Sequence, residues 1–213
     1  MISDSIAKLP RFYAILDAQL VPDEEGQSRM ARELVAGGVT LIQYRNKTGT
    51  PREILDQARS LRASVPAHVR LILNDRADLC LAAGYDGVHV GQEDLSPAGA
   101  RSVIGPERWL GVSTHNPEQV AAADVTSADY IAVGPVFATS STANPDPVID
   151  LEGVRRARAL TSKPLVAIGG ITRENCQSVI AAGADSVAVI SDLLADPRGA
   201  ATDFLRLLQA NLG

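Results

Sequence analysis

The sequence predicts a single (β/α)8 barrel, an α/β fold, over residues 1–213, and three observations support this prediction. Eight short apolar runs recur along the chain. Helical segments rich in Ala, Arg and Leu separate these runs, and a weak sequence repeat spans the junction from a helix to the next strand. In the repeat, a small-residue turn leads from a helix end into a strand, as in AGGVTLIQYR, AGYDGVHVGQ, SADYIAVGP and AGADSVAVIS. Eight such units in one chain favour a closed barrel.

The eight apolar runs are the predicted strands. They are too short and too continuous for amphipathic helices, and runs of this kind are typical of parallel strands buried on both faces. In chain order they are residues 12–16, 40–44, 70–73, 87–90, 109–112, 130–133, 164–168 and 186–190.

Segments between these runs show the spacing of amphipathic helices. In residues 51–64 and 151–161, apolar side chains recur three or four positions apart, which places them on one helical face. Such helices cross over between parallel strands. The apolar positions are Ile54, Leu55, Ala58 and Leu61 in the first segment and Leu151, Val154, Ala157 and Leu160 in the second.

A doubly wound open sheet is the competing architecture, because it has the same alternation of strands and helices. That fold normally carries a glycine-rich phosphate loop after its first strand. The segment AQLVPDEEG, which follows Asp17, has neither a GxGxxG nor a GxxxxGK pattern. We therefore favour the barrel.

The composition argues against several classes of partner and location. The formal net charge is −5, and no run of lysine or arginine is present, so nucleic acid is not an expected partner. The amino terminus lacks an export signal, and no stretch approaches the roughly 18 apolar residues of a membrane span. Cys80 and Cys176 lack the spacing of a metal or redox site, so we expect core thiols and a reducing, cytoplasmic location.

The second strand ends in the polar segment QYRNK. Side chains alternate along a strand, so Gln43, Arg45 and Lys47 are predicted to point to the same side. Two cations at the mouth of a barrel suit a polyanionic substrate, because Arg pairs with phosphate oxygens and Lys adds a compact charge. A solvated loop is the alternative interpretation.

Carboxylates follow the third and fourth strands. Asn74 and Asp75 end the third, and Asp94 follows the fourth within GQED. Oxygen ligands without nearby histidine pairs favour Mg²⁺, which usually takes one or two protein carboxylates together with substrate phosphate. Helix capping is the alternative role for both aspartates.

Three later segments predict a phosphate site. Gly169 and Gly170 end the seventh strand, and Ile190 and Ser191 end the eighth, where barrels commonly bind phosphate through backbone amides. The segment 137–150 after the sixth strand is rich in hydroxyl groups that can donate to phosphate. An ordinary tight turn and a surface linker are the alternatives. The hydroxyl residues are Thr139, Ser140, Ser141 and Thr142.

Two of the three histidines fall near these strand ends. His89 lies inside an apolar strand, where a core histidine with satisfied hydrogen bonds is the usual case. His115 follows the fifth strand and is expected to border the site without a catalytic role.

Six ordered motifs at strand ends resemble the thiamine-phosphate synthase family. They are QYRNK at 43–47, NDRADL at 74–79, DGVHVGQEDL at 86–95, GVSTH at 111–115, GPVF at 134–137 and AIGG at 167–170. The resemblance covers essentially the whole chain. It implies a transferase that joins 4-amino-5-hydroxymethyl-2-methylpyrimidine diphosphate to 4-methyl-5-(2-phosphoethyl)thiazole, or its carboxylated form, giving thiamine phosphate and diphosphate.

The resemblance also implies roles for individual residues. Arg45, Lys47 and Ser113 are the predicted catalytic residues. Tyr44, Asn46, Ser140 and Thr142 are counted with the substrate-binding residues. By the resemblance, Gln43, Arg45, Lys47, Asn74 and Ser113 hold the pyrimidine diphosphate, Asp75 and Asp94 bind Mg²⁺, and Thr139, Ser141, Gly170, Ile190 and Ser191 hold the thiazole phosphate.

One position departs from the family pattern. After the sixth strand the family usually reads TxTK, and this chain has Thr142 where that lysine is expected. Loss of a preorganised charge costs an order of about 2–4 kcal/mol in the transition state. We therefore expect Thr142→Lys to raise turnover, and an unchanged or lower rate would contradict this hypothesis.

Two other functions compete with the synthase. A related thiazole tautomerase is expected to carry a histidine beside the glycine of the sixth strand, where this chain has Pro135. A non-catalytic phosphate-binding barrel would account for Thr142. The sequence does not determine the number of subunits, so a homo-oligomer is an open alternative.

Overall fold

The computed structural model describes residues 9–139 and 146–209. Its eight strands are all parallel and form a closed barrel in chain order, in which β8 pairs with β1. This closure confirms the (β/α)8 fold and excludes the open sheet. The strands are β1 Phe12–Asp17, β2 Leu41–Arg45, β3 Arg70–Asn74, β4 Gly87–Val90, β5 Trp109–Thr114, β6 Tyr130–Val133, β7 Leu165–Ile168 and β8 Ser186–Val189.

Several strands run further toward their carboxyl ends than the apolar pattern predicts. β1 continues to Asp17 and β5 to Thr114, because parallel pairing persists past the apolar residues: Asp17 pairs with Arg45 and Thr114 with Val133. Polar residues are thereby held rigidly at the mouth of the barrel. β8 is shorter than predicted, since the chain turns after Val189 toward a short 3-10 helix, η1 (Ser191–Leu193).

Helices surround the strands, and local signals explain where several of them begin. α2 starts with a reciprocal cap, in which the Thr50 side chain accepts from the Glu53 amide and the Glu53 carboxylate accepts from the Thr50 amide. Ser96 and Asn116 cap α4 and α5, each followed by proline. The helices are α1 Glu24–Ala36, α2 Pro51–Ser64, α3 Ala77–Ala82, α4 Pro97–Ile104, α5 Pro117–Asp124, α6 Asp150–Leu160, α7 Cys176–Ala181 and α8 Pro197–Gln209.

The predicted helical faces pack against the core, with Leu55 and Leu151 partly buried, except at one end. Ile54, Ala58 and Leu61 of α2 pack against the barrel. The prediction for Leu160 is wrong: this residue is 40% exposed, and it is the last residue of α6.

Two separate hydrophobic clusters stabilise the fold. The larger lies between strands and helices. The smaller fills the barrel interior, where Leu41, Trp109 and Tyr130, each the first residue of its strand, close the amino end. The carboxyl end is therefore left open for a ligand.

Two observations bear on the predictions about cellular location. Cys80 and Cys176 are buried free thiols, as predicted. In the two described ranges, no helix combines the length and apolar character needed to cross a bilayer.

Candidate active site

A cavity of about 910 Å³ opens at the carboxyl ends of the strands. All described residues that the sequence proposes as ligands line it, apart from two. The segment Ser140, Ser141 and Thr142 lies outside the described residues. The predicted residues that line the cavity are Gln43, Arg45, Lys47, Asn74, Asp75, Asp94, Ser113, Thr139, Gly170, Ile190 and Ser191.

Tyr44 and Asn46 do not line the cavity, contrary to their prediction as substrate ligands. The Tyr44 hydroxyl donates to the Gln57 side chain of α2, and Asn46 Nδ2 lies 2.9 Å from the same Gln57 oxygen. Asn46 Oδ1 accepts from the Gly49 amide at 2.8 Å, which shapes the loop before α2. The physical reason is strand alternation, which turns both side chains toward the helices while their neighbours face inward.

Arg45 is held by a partner that sequence reasoning missed. Its guanidinium forms an ion pair with Asp17, the last residue of β1, which is 2% exposed. Asp17 lies directly across the strand pairing from Arg45. This buried ion pair holds the Arg45 guanidinium at the cavity wall. The available signal was the single acidic residue that ends the first apolar strand.

The two predicted metal ligands lie beside each other. Asp75 is close enough to hydrogen-bond with Asp94, and Lys47 Nζ lies 2.8 Å from Asp75 Oδ2. Burial raises the pKa of Asp75 to about 6; Lys47 opposes the rise and Asp94 adds to it. Neither aspartate is a helix cap, since α3 begins after Arg76 and Ser96 caps α4.

This arrangement fits a hard divalent cation. Two adjacent carboxylates repel each other when both are ionised, and a bound cation removes that repulsion. Within residues 9–139 and 146–209, no three Asp, Glu, His or Cys side chains form a metal cluster. A pair such as Asp75 and Asp94 suits Mg²⁺, because Mg²⁺ keeps water and substrate phosphate as its other ligands.

Asn74 presents an unused donor beside these carboxylates. Its Nδ2 atom is buried and has no hydrogen-bond partner among the described residues. A buried donor without a partner costs about 1–3 kcal/mol, so a ligand that accepts from it gains that amount. Asn74 is therefore suited to bind an acceptor atom of a substrate.

The opposite wall of the cavity includes the turns that follow β7 and β8. Gly169 and Gly170 adopt φ values of 99° and 63°, a region that other residues rarely enter. A Cβ atom on Gly170 would lie 2.5 Å from the Ala138 carbonyl oxygen, so the segment after β6 packs directly on this turn. Ile190 and Ser191 continue the wall beyond β8. The glycine pair thus makes a tight turn that also shapes the cavity.

The two histidines are in the predicted positions. His89 is buried, which lowers its pKa to about 4, and its ring nitrogens bond to Tyr130 and Ser113. His115 borders the cavity, with Nδ1 2.8 Å from the Gly134 carbonyl oxygen and 3.3 Å from Asp146. Sequence reasoning did not anticipate the bonds that link His89 to its neighbours, because they cross between strands.

Comparisons with known proteins agree with this geometry. A family model described as thiamine monophosphate synthase matches residues 12–193. The thiamine-phosphate synthase of Koribacter versatilis (strain Ellin345) is 63% identical over 206 residues, which cover 95% of this chain and 98% of that protein. The thiamine-phosphate synthase of Xanthobacter autotrophicus is 45% identical over 192 residues, covering 89% and 90%.

A solved structure extends this similarity to the fold. The thiamine phosphate pyrophosphorylase from Pyrococcus furiosus superposes with a TM-score of 0.84 at 34% identity, covering 95% of this chain and 97% of that one. Family model, curated relatives and solved structure all span nearly the whole barrel. The chain therefore belongs to the thiamine monophosphate synthase family.

Proposed function

We propose that the chain is a thiamine-phosphate synthase, a transferase that joins 4-amino-5-hydroxymethyl-2-methylpyrimidine diphosphate to 4-methyl-5-(2-phosphoethyl)thiazole or its carboxylated form. The products are thiamine phosphate and diphosphate. One observation carries the proposal: a single cavity has Arg45, Lys47, Asp75 and Asp94 on one side and the turns after β7 and β8 on the other. The first side suits a metal-bound diphosphate and the second a phosphate monoester.

Departure of diphosphate is the step that the charged side serves. The bond between the pyrimidine methylene carbon and the diphosphate oxygen breaks, and its electron pair leaves with the diphosphate. Arg45 and Lys47 neutralise the charge that develops there, while Asp75 and Asp94 would hold Mg²⁺. Bound Mg²⁺ supplies further neutralisation of the diphosphate oxygens.

The second bond requires no general base. The thiazole nitrogen already carries the lone pair that forms the carbon–nitrogen bond with the methylene carbon, whose positive charge the aminopyrimidine stabilises. The state of His89 is consistent with a reaction that uses no general base. Burial lowers the pKa of His89, and both its ring nitrogens are hydrogen-bonded within the protein. Orientation of the two substrates can contribute about 7–11 kcal/mol.

The described site gives the tautomerase less support. That enzyme is expected to carry its histidine at the position after Gly134, where this chain has Pro135 on the cavity wall, and the nearby His115 Nδ1 is bonded to the Gly134 carbonyl oxygen. We also place the enzyme in the cytoplasm, because a reducing compartment keeps Cys80 and Cys176 as free thiols.

The decisive experiment measures diphosphate release from the pyrimidine diphosphate, with Mg²⁺ or with a chelator, in the presence and absence of the thiazole phosphate. We expect release that needs both Mg²⁺ and thiazole, with thiamine phosphate identified by mass as the product. Binding of both ligands without release would contradict the proposal and support a binding barrel. Isomerisation of a thiazole phosphate without the pyrimidine would support the tautomerase.

A further inference from the structure

A continuous row of hydrogen bonds crosses the interior of the barrel. Gln43 Nε2 lies 2.9 Å from the Tyr13 hydroxyl, which lies 3.0 Å from the Tyr130 hydroxyl. Tyr130 lies 3.1 Å from His89 Nδ1, and His89 Nε2 lies 2.8 Å from Ser113 Oγ. These five residues come from five different strands, and we call them the inner chain. Its two ends, Gln43 and Ser113, line the cavity, as do Tyr13 and His89 between them.

The barrel makes specific room for the inner chain. Gly111 of β5 pairs with His89 on one side and Tyr130 on the other. A Cβ atom at Gly111 would overlap the Tyr130 hydroxyl and His89 Nδ1. The absence of a side chain at this inward-facing position is what allows these two groups to meet.

Proton counting gives the inner chain a direction. An amide nitrogen only donates, so the Tyr13 oxygen accepts from Gln43, and the single Tyr13 proton goes to Tyr130. The Tyr130 proton then goes to His89 Nδ1, which leaves the imidazole proton on Nε2, donating to Ser113 Oγ. With the proton on Nδ1 instead, Tyr13 and Tyr130 would hold more protons than the described partners can accept, and one would be buried unpaired.

The direction determines what the cavity offers to a ligand. At one end, one of the two Nε2 hydrogens of Gln43 is donated to Tyr13, which fixes the orientation of the amide and makes its carbonyl oxygen Oε1 the acceptor at that end. At the other end, Ser113 Oγ accepts from His89, so its hydroxyl proton is free to donate. An aminopyrimidine has complementary groups, since its exocyclic amine donates and its ring nitrogens accept.

We propose that Tyr13, Tyr130 and His89 are positioning residues that fix Gln43 as an acceptor and Ser113 as a donor for the aminopyrimidine ring. This inference rests on the proposed function and adds three residues that the sequence did not place among the substrate or metal ligands. In a buried chain of hydrogen bonds, each bond polarises and strengthens its neighbours. Loss of one bond therefore weakens the bonds at both ends of the chain. An acceptor held against the amine also favours the positive charge that the ring carries during the reaction.

The first test reads the imidazole proton of His89 in the unmodified protein. In ¹⁵N-histidine spectra at neutral pH, with the His89 signals assigned by their loss in His89→Gln, we expect a protonated Nε2 and an unprotonated Nδ1. A proton on Nδ1 would overturn the direction and with it the donor and acceptor roles. This measurement does not depend on turnover, so failure of the proposed function and failure of this inference give different results.

The second test separates positioning from simple support of the fold. In Tyr13→Phe and Tyr130→Phe, we expect KM for the pyrimidine diphosphate to rise about tenfold, the loss that one unpaired buried group produces. KM for the thiazole phosphate should stay within about twofold, as the inner chain ends only on the pyrimidine side. Gly111→Ala should have at least the effect of Tyr130→Phe, because it separates Tyr130 from His89.

Tyr85→Phe is the matched control. Tyr85 is equally buried, but its hydroxyl donates to the Ala58 carbonyl oxygen in the outer layer. If Tyr85→Phe raised KM for the pyrimidine as much as Tyr13→Phe, or if Tyr13→Phe changed KM for both substrates equally, the positioning role would be rejected. Thermal unfolding identifies any variant that fails to fold, and the ¹⁵N spectrum of the unmodified protein decides the direction in that case.

Discussion

The two sides of the barrel mouth bind by different means. The side-chain half, formed at the ends of β2–β5, presents functional groups that project into the cavity. The backbone half, at the ends of β7 and β8, presents turns built from Gly169, Gly170, Ile190 and Ser191. Because of this difference, we expect the side-chain half to lose function when a side chain is removed, and the backbone half to lose function when a side chain is added. The projecting groups of the side-chain half are Arg45, Lys47, Asn74, Asp75, Asp94 and Ser113.

Removal of a cation from the side-chain half should have the largest effect. Lys47→Met takes away a charge that lies 2.8 Å from Asp75, and we expect kcat to fall about 10²–10³-fold, as for other preorganised electrostatic groups. Steady-state kinetics of diphosphate release measures this. Arg155→Met, which removes a cation from exposed α6, is the control and should leave kcat unchanged. Equal losses in the two variants would mean that net charge, and not the site, matters.

Addition of a methyl group to the backbone half comes next. Gly170→Ala forces a residue with Cβ into a φ of 63° and against the Ala138 carbonyl, so we expect KM for the thiazole phosphate to rise about tenfold. KM for the pyrimidine diphosphate should change little. Gly99→Ala in α4 is the control, because a Cβ there would meet the Ser96 hydroxyl at 3.3 Å and the Leu95 side chain at 3.7 Å, with no backbone clash. A rise in both KM values for Gly170→Ala would erase the distinction between the two halves.

The pH dependence of the free energy of unfolding tests the raised pKa of Asp75 in the side-chain half. The metal-free folded protein binds a proton at Asp75 with a pKa of about 6, above the ordinary 3.8, so this group stabilises the fold at low pH. Its contribution is lost as pH rises from about 4 through 6. His89 acts oppositely, since its lowered pKa of about 4 costs stability as pH falls below 6.5.

The comparison of wild type with Asp75→Asn isolates the Asp75 contribution. Urea unfolding with a chelator should show the wild type gaining stability relative to the variant between pH 7 and pH 4.5. Addition of Mg²⁺ at pH 7 should stabilise the wild type more than the variant. A difference between the two proteins that does not change with pH would contradict the raised pKa.

The smallest effect on activity is expected outside both halves. Tyr44→Phe removes the bond to Gln57 and should lower the free energy of unfolding by about 1 kcal/mol. We expect kcat/KM to change less than about twofold, since Tyr44 does not line the cavity and its hydroxyl bonds only to Gln57 and Asn46 among the described residues, neither of which lines the cavity. A loss of activity like that of Lys47→Met would restore the sequence-based assignment of Tyr44 to the substrate site.

Much of this protein was predictable from local pattern. Buried strands produce continuous apolar runs, and alternation along β2 places Gln43, Arg45 and Lys47 on one side, as the cavity confirms. The carboxyl ends of parallel strands meet at one rim, so Asp75 and Asp94 could be expected together before any coordinate was known. Each of these inferences needs only the direction of a side chain within its own strand.

Tertiary structure alone decided the contacts that cross between strands. The pairing of Asp17 with Arg45, the inner chain from Gln43 to Ser113 and the fit of Gly111 all depend on how the strands are staggered around the barrel. Closure brings β1 beside both β2 and β8, which the order of residues does not encode locally. The sequence by itself thus determined the fold and the chemical character of the rim, and strand register determined which groups hold one another in place.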